Sequence, residues 1–107
     1  MIERNTGHVV TIASIMGHIG NSSLTDYCAS KFAVVGFDES LRMEFKSKGY
    51  SNLKLNKVIL LDIKTTCICP YLIETGMFRG VGKTKLSFIV PNLKPEYVAN
   101  RVIAAIR

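Results

Sequence analysis

The hydrophobic pattern of this chain changes period several times. His8-Val9-Val10-Thr11-Ile12-Ala13 is a short, β-branched run entered through Gly7. A continuous run of that length suits a strand covered on both faces, as in a parallel sheet. It leads into Ser14–Ser23, whose Gly, Ser and Asn residues predict a loop. From about Thr25 to Lys48 the period lengthens. Ala29, Phe32, Ala33, Gly36, Phe37, Leu41 and Phe45 recur at helical spacing, with Asp38, Glu39, Arg42 and Lys46 between them. This stripe predicts the core side of one long helix. Gly49 ends it, since glycine suits the left-handed position past a helix terminus.

Two extended runs follow, Val58-Ile59-Leu60-Leu61 and Ile63-Lys64-Thr65-Thr66-Cys67-Ile68-Cys69. Pro70 closes the second because it brings no ladder donor. A stretch rich in Gly and Lys runs to about Leu93 and predicts a loop. Pro95 suits the first turn of a last helix, with Tyr97, Val98, Val102, Ile103 and Ile106 as its apolar side. Strand, loop, long helix, strand, loop, helix is the order of a parallel α/β unit with right-handed crossovers. Ligands of such sheets bind at the carboxyl ends of the strands. The loops after Ala13 and after Cys69 both lie there.

Composition narrows the classes. A length of 107 residues leaves room for one domain, and 48% hydrophobic with 21% charged residues argues against disorder. The net charge of +6 is scattered, with loose groupings at Lys46/Lys48, Lys54/Lys57 and Arg79/Lys83/Lys85. A nucleic-acid module would gather charge on one face and interleave aromatics, so no nucleic-acid partner is expected. Three cysteines, Cys28, Cys67 and Cys69, suggest reduced thiols in a cytoplasmic setting. Cys67 and Cys69 would share one strand face, and without further ligands at metal spacing they read as thiols rather than a metal site. No run approaches the roughly 20 apolar residues of a membrane span. Met1-Ile2-Glu3-Arg4 does not read as a signal sequence, and Asn21-Ser22-Ser23 matches a glycosylation acceptor in form only.

The chemistry concentrates at three positions. Tyr27 and Lys31 are four apart at the start of the long helix, hence a turn apart on one face. Ser14 stands at the carboxyl end of the first strand, thirteen residues before Tyr27. A phenol is by itself a poor proton carrier at neutral pH, and a neighbouring ammonium group favours its ionised form. Lys31 can supply that cation, Ser14 can donate a hydrogen bond to an oxygen that gains charge, and Tyr27 can exchange the proton. His8 and His18 read as surface or strand-edge residues rather than bases. Met77 and Phe78 suit either a lipophilic pocket or a loop cap.

Ser14 followed by Tyr27-Cys28-Ala29-Ser30-Lys31, with spacings of thirteen and four, resembles the catalytic set of short-chain dehydrogenases/reductases. The Ala29-Ser30-Lys31-Phe32-Ala33 continuation and the Pro70 loop strengthen the likeness. Within that family, Met1–Asn5, Asp26–Ala33 and Thr75-Gly76-Met77-Phe78 look most like the branch of epidermal retinol dehydrogenase and the 17-beta-hydroxysteroid dehydrogenases of lipid droplets. The resemblance implies a partial Rossmann-like, doubly wound parallel sheet, with residues 1–107 forming the C-terminal part of one NAD(P)-binding domain. It implies hydride transfer between NAD or NADP, leaning to NAD, and a lipophilic alcohol or ketone such as retinol or a steroid. Ser14, Tyr27 and Lys31 would be catalytic. Tyr27, Lys31, Pro70, the Ile73 backbone and the Thr75 hydroxyl would contact the cofactor. Tyr71 stands where the family usually has glycine, and is read as a mark of this branch. The long helix around Ala29–Phe45 would serve a homodimer. Attachment to the endoplasmic reticulum or a lipid droplet would come only through a segment ahead of this start.

Some family features are absent from these residues. Gly17-His18-Ile19-Gly20 follows a strand, but Ile15 occupies a place the Gly-x-Gly-x-x-Gly pattern needs. Gly82-Lys83-Thr84 echoes a phosphate loop, with Met77 where its first glycine belongs. The chain alone is therefore expected to bind cofactor poorly and to be inactive. Leu53–Asp62 interrupts the likeness and reads as an insertion, either a surface excursion or a substrate-gating flap. The alternative to an oxidoreductase is a non-catalytic fragment or pseudoenzyme acting through the long helix.

Overall fold

The computed structural model describes residues 1–4, 6–48, 62–75 and 92–106. Its elements are strand β1 (Thr6–Ile12), a 3-10 turn (Ile15–Gly17), helix α1 (Thr25–Ser47), strand β2 (Asp62–Ile68) and helix α2 (Pro95–Ile106). The chain divides into two compact units, Met1–Cys69 and Pro70–Arg107. The expected run Val58–Leu61, the Leu53–Leu61 part of the interruption, the Gly49 terminator, Gly82-Lys83-Thr84 and Met77/Phe78 lie outside the described residues.

In the first unit β1 and β2 pair in parallel, in register from Thr6 opposite Asp62 to Ile12 opposite Ile68. The Ala13 amide extends the ladder by donating to the Ile68 carbonyl at 2.9 Å. Parallel neighbours cannot be joined by a hairpin and need a long crossover, which here contains α1. The chain is thus α/β with a parallel sheet, as the order of its elements implies.

The helix begins after a tight turn in which the Leu24 amide donates to the Asn21 carbonyl at 3.3 Å. Ser23 in that turn has φ 66°, a left-handed conformation that favours glycine. Asp26 in the first turn and Lys46 in the last complement the helix dipole.

The side of α1 that faces the sheet differs from the apolar stripe. Phe32 and Phe37 are 47% and 58% exposed, and Ala29, Ala33 and Gly36 are exposed with them. Only Leu41 and Phe45 of the stripe are half-buried. The other buried or half-buried positions are Tyr27, Cys28, Lys31, Val34, Val35 and Asp38. Asp38 is only 5% exposed because the sheet offers it a donor, the Thr11 hydroxyl at 3.1 Å. Ala13, Cys28 and Ile63 form the small apolar centre of this unit.

In the second unit, α2 starts at Pro95, and the Tyr97 and Val98 amides donate to the Lys94 carbonyl. Val98, Val102 and Ala105 are its half-buried positions, at i, i+4 and i+7. Tyr97, Ile103 and Ile106, expected on the same apolar side, are exposed.

Candidate active site

Three local features shape the carboxyl end of β1 and the start of α1 against it. The strand ends at Ile12, and the chain turns at once into the 3-10 turn, which Ser14 caps. The Ser14 Oγ accepts a hydrogen bond from the Met16 amide at 3.2 Å. Its residue is 7% exposed, so the hydroxyl is held by backbone rather than left to rotate in water.

The turn then presses on α1. Gly17 is buried, and a Cβ there would lie 2.7 Å from the Lys31 carbonyl oxygen and 2.7 Å from Val35 Cγ2. Only a glycine permits that approach. This contact sets the depth at which the first turns of α1 meet the end of β1. By sequence alone Gly17 is an ordinary loop residue; its one signal is a glycine three residues after Ser14.

Tyr27 and Lys31 occupy adjacent turns of α1, as their spacing predicts. The Lys31 ammonium lies 5.6 Å from the centre of the Tyr27 ring. It also donates to the Ile12 carbonyl at 3.4 Å. That carbonyl belongs to the last residue of β1, two positions before Ser14. Lys31 therefore bridges α1 and the end of β1.

The Pro70–Thr75 segment lies in the second unit. Ile73 forms an isolated parallel bridge with Leu93. The Glu74 amide donates to the Leu93 carbonyl at 2.9 Å, and the Leu93 amide to the Leu72 carbonyl at 2.8 Å. In such a pattern the flanking residues make the bonds, so the Ile73 amide faces away from Leu93. The Thr75 amide donates to the Ile73 carbonyl at 2.7 Å, and Thr75 itself is exposed. A segment with one amide directed outward and a nearby exposed hydroxyl suits a polar ligand.

His8, read from sequence as a strand-edge residue, has its Nε2 2.8 Å from the Thr66 Oγ1 across the sheet. Among the described residues no group of three His, Cys, Asp or Glu side chains could hold a metal ion. Nor is any helix among them long and apolar enough to cross a membrane.

Comparison with known proteins gives this geometry its context. The family model for short chain dehydrogenase matches residues 1–86. Retinol dehydrogenase 10 of Rattus norvegicus is 44% identical over 107 residues, which cover 99% of this chain and 28% of the relative. Short-chain dehydrogenase/reductase family 16C member 6 of Bos taurus is 46% identical over 106 residues, 99% of this chain and 30% of the relative. Epidermal retinol dehydrogenase 2 of Mus musculus is 45% identical, over 99% of this chain and 31% of its own length. The chain thus spans less than a third of the curated relatives it matches. With a strand-end serine, a Tyr-x-x-x-Lys helix and a family match over most of its length, this chain belongs to the short-chain dehydrogenase family.

Proposed function

We propose that these residues supply the proton-exchange centre of an NAD(P)-dependent oxidoreductase acting on a lipophilic alcohol or ketone of the retinol or steroid kind. The observation that carries this reading is the Lys31 ammonium, set between the Tyr27 ring and the Ile12 carbonyl at the carboxyl end of β1. The retinol dehydrogenases among the relatives supply the substrate class.

A bound nicotinamide dinucleotide supplies the hydride acceptor or donor. The work of this chain is to hold and move a proton. The Tyr27 oxygen, as phenolate, takes the proton from an alcohol oxygen, or, as phenol, gives its proton to a carbonyl oxygen. The Lys31 ammonium places a positive charge beside the Tyr27 ring, and it is also suited to ribose hydroxyls. The Ser14 hydroxyl donates to the substrate oxygen as negative charge develops there. In the Pro70–Thr75 segment, the outward Ile73 amide suits a carboxamide oxygen and the Thr75 hydroxyl suits the adjoining phosphate. In this reading the 107 residues are the C-terminal part of one NAD(P)-binding Rossmann domain, and residues 53–62 are an insertion in it.

The exposed Phe32 and Phe37 favour an additional role for α1 in pairing with a second copy of the chain. Catalysis and pairing are compatible, because Tyr27 and Lys31 are half-buried while Phe32 and Phe37 are exposed.

A chimera tests the reading. The aligned segment of rat retinol dehydrogenase 10 is replaced by this chain, and NAD(P)-dependent retinol oxidation is followed with and without Tyr27→Phe. The chimera is expected to turn over, and Tyr27→Phe to lower kcat by at least about a hundredfold. A Tyr27→Phe chimera as active as its parent would remove the proposal.

A further inference from the structure

We propose that Cys69, with His18 beside it and Cys67 behind it, is a peroxide-reactive thiol site that closes reversibly to a Cys67–Cys69 disulfide. The Cys67 and Cys69 sulfur atoms lie 3.8 Å apart. Cys69 Sγ lies 3.4 Å from His18 Nε2, a contact between residues 51 apart in sequence. A cavity of about 400 Å³ opens on these groups and is lined by all three, together with Asp38 and Arg42. A hydroperoxide has room to enter it. The third cysteine, Cys28, is buried elsewhere on α1.

The roles follow from the surroundings. His18 is exposed, and its Nε2 is placed to take the Cys69 thiol proton as that sulfur attacks. Burial first, and the neighbouring Cys69 next, push the Cys67 thiol up to about 11, so it stays protonated and acts second. In the first step the Cys69 sulfur, its proton passing to His18, attacks the nearer peroxide oxygen. An S–O bond forms, the O–O bond breaks, and the departing alkoxide takes the proton from His18. Sulfur loses two electrons and the peroxide gains them. In the second step the Cys67 sulfur attacks the Cys69 sulfenic sulfur. The S–S bond forms, the S–O bond breaks, and hydroxide leaves with the Cys67 proton as water. The sum is two thiols and one hydroperoxide giving one disulfide, one alcohol and one water.

The backbone permits closure at some strain. Cα atoms two apart on an extended chain are about 6.6 Å apart. That is near the upper limit of roughly 6.8 Å for a disulfide. β2 ends at Ile68, so Cys69 is free of the ladder and can turn toward Cys67. A strained disulfide is easily reduced, which makes the change reversible.

The test uses hydrogen peroxide on the 107-residue chain, followed by trypsin and mass spectrometry. Cys67 and Cys69 share the Thr65–Arg79 peptide, while Cys28 falls in Asn5–Lys31 and serves as an internal control. The expected result is loss of two hydrogens from the first peptide, reversed by dithiothreitol, with Cys28 unchanged. In Cys67→Ser, dimedone should trap a sulfenic acid on Cys69, and His18→Gln should slow its formation at least about tenfold. A Thr65–Arg79 peptide that never loses two hydrogens, or dimedone labelling of Cys28 as fast as of Cys69, would overturn the proposal.

Discussion

The two sides of α1 carry opposite chemistry. The side toward the sheet presents Lys31, the buried Asp38 and the small Cys28, fitted against β1, β2 and the Gly17 turn. The side toward water presents Phe32, Phe37 and, 61% exposed, Met43. An amphipathic helix of ordinary kind would bury the aromatics and expose the charges. Here specific donors and acceptors hold the inward side: the Thr11 hydroxyl for Asp38 and the Ile12 carbonyl for Lys31. The lesson is that a helix can turn its polar residues to the sheet when each has a partner there. Its apolar side is then left for another surface.

The largest effect on folding is expected at the tightest contact. Gly17→Ala forces a methyl against the Lys31 carbonyl and Val35, and should destabilise the first unit by about 1–3 kcal/mol, read from urea denaturation. An unchanged midpoint would mean that the turn does not press on α1 as described.

Next in size is Asp38→Ala, which leaves the Thr11 hydroxyl without its acceptor and should cost about 1–2 kcal/mol. Asp38→Asn keeps an acceptor and should cost less. Equal losses in the two variants would show that the side chain's charge, rather than its hydrogen bond, holds it inside.

Substitutions on the outer face should leave monomer stability almost untouched. Phe32→Ser with Phe37→Ser is expected to shift the unfolding free energy by within about 0.5 kcal/mol per site. It should nonetheless abolish self-association in sedimentation velocity. A large stability loss in the monomer would place the aromatics in the core after all.

The smallest effect concerns the thiol on β2. Its raised value means that the folded chain keeps the Cys67 proton after the unfolded chain has released it. The stability this contributes is fully present below pH 9.0, the unperturbed thiol value, and is lost as the pH rises toward about 11. Cys67→Ser should flatten the decline of the urea midpoint across that window, and parallel curves would count against a buried, protonated Cys67.

Much of the architecture was legible from residue order. The β-branched run before Ser14, the end of α1 near Lys48 and Pro95 at the start of α2 all follow from local rules, and the structure shows them within two residues. The Tyr27–Lys31 pair was legible because helical spacing is a local fact. The inward side of α1 was not. Apolar residues occupy positions around much of the helix, including Val34 and Val35, so the period alone did not decide which side meets the sheet. That choice depends on Thr11 and on the Gly17 turn, which are distant in sequence from the residues they hold. The His18–Cys69 contact escaped for the same reason.

The most direct test of the proton-exchange centre is the kcat of the retinol dehydrogenase chimera with Lys31→Ala. A fall of at least about a hundredfold is expected, because Tyr27 would then exchange its proton without the cation beside its ring. An unchanged kcat with only a raised KM would contradict it, reducing Lys31 to a binding contact that plays no part in the chemical step.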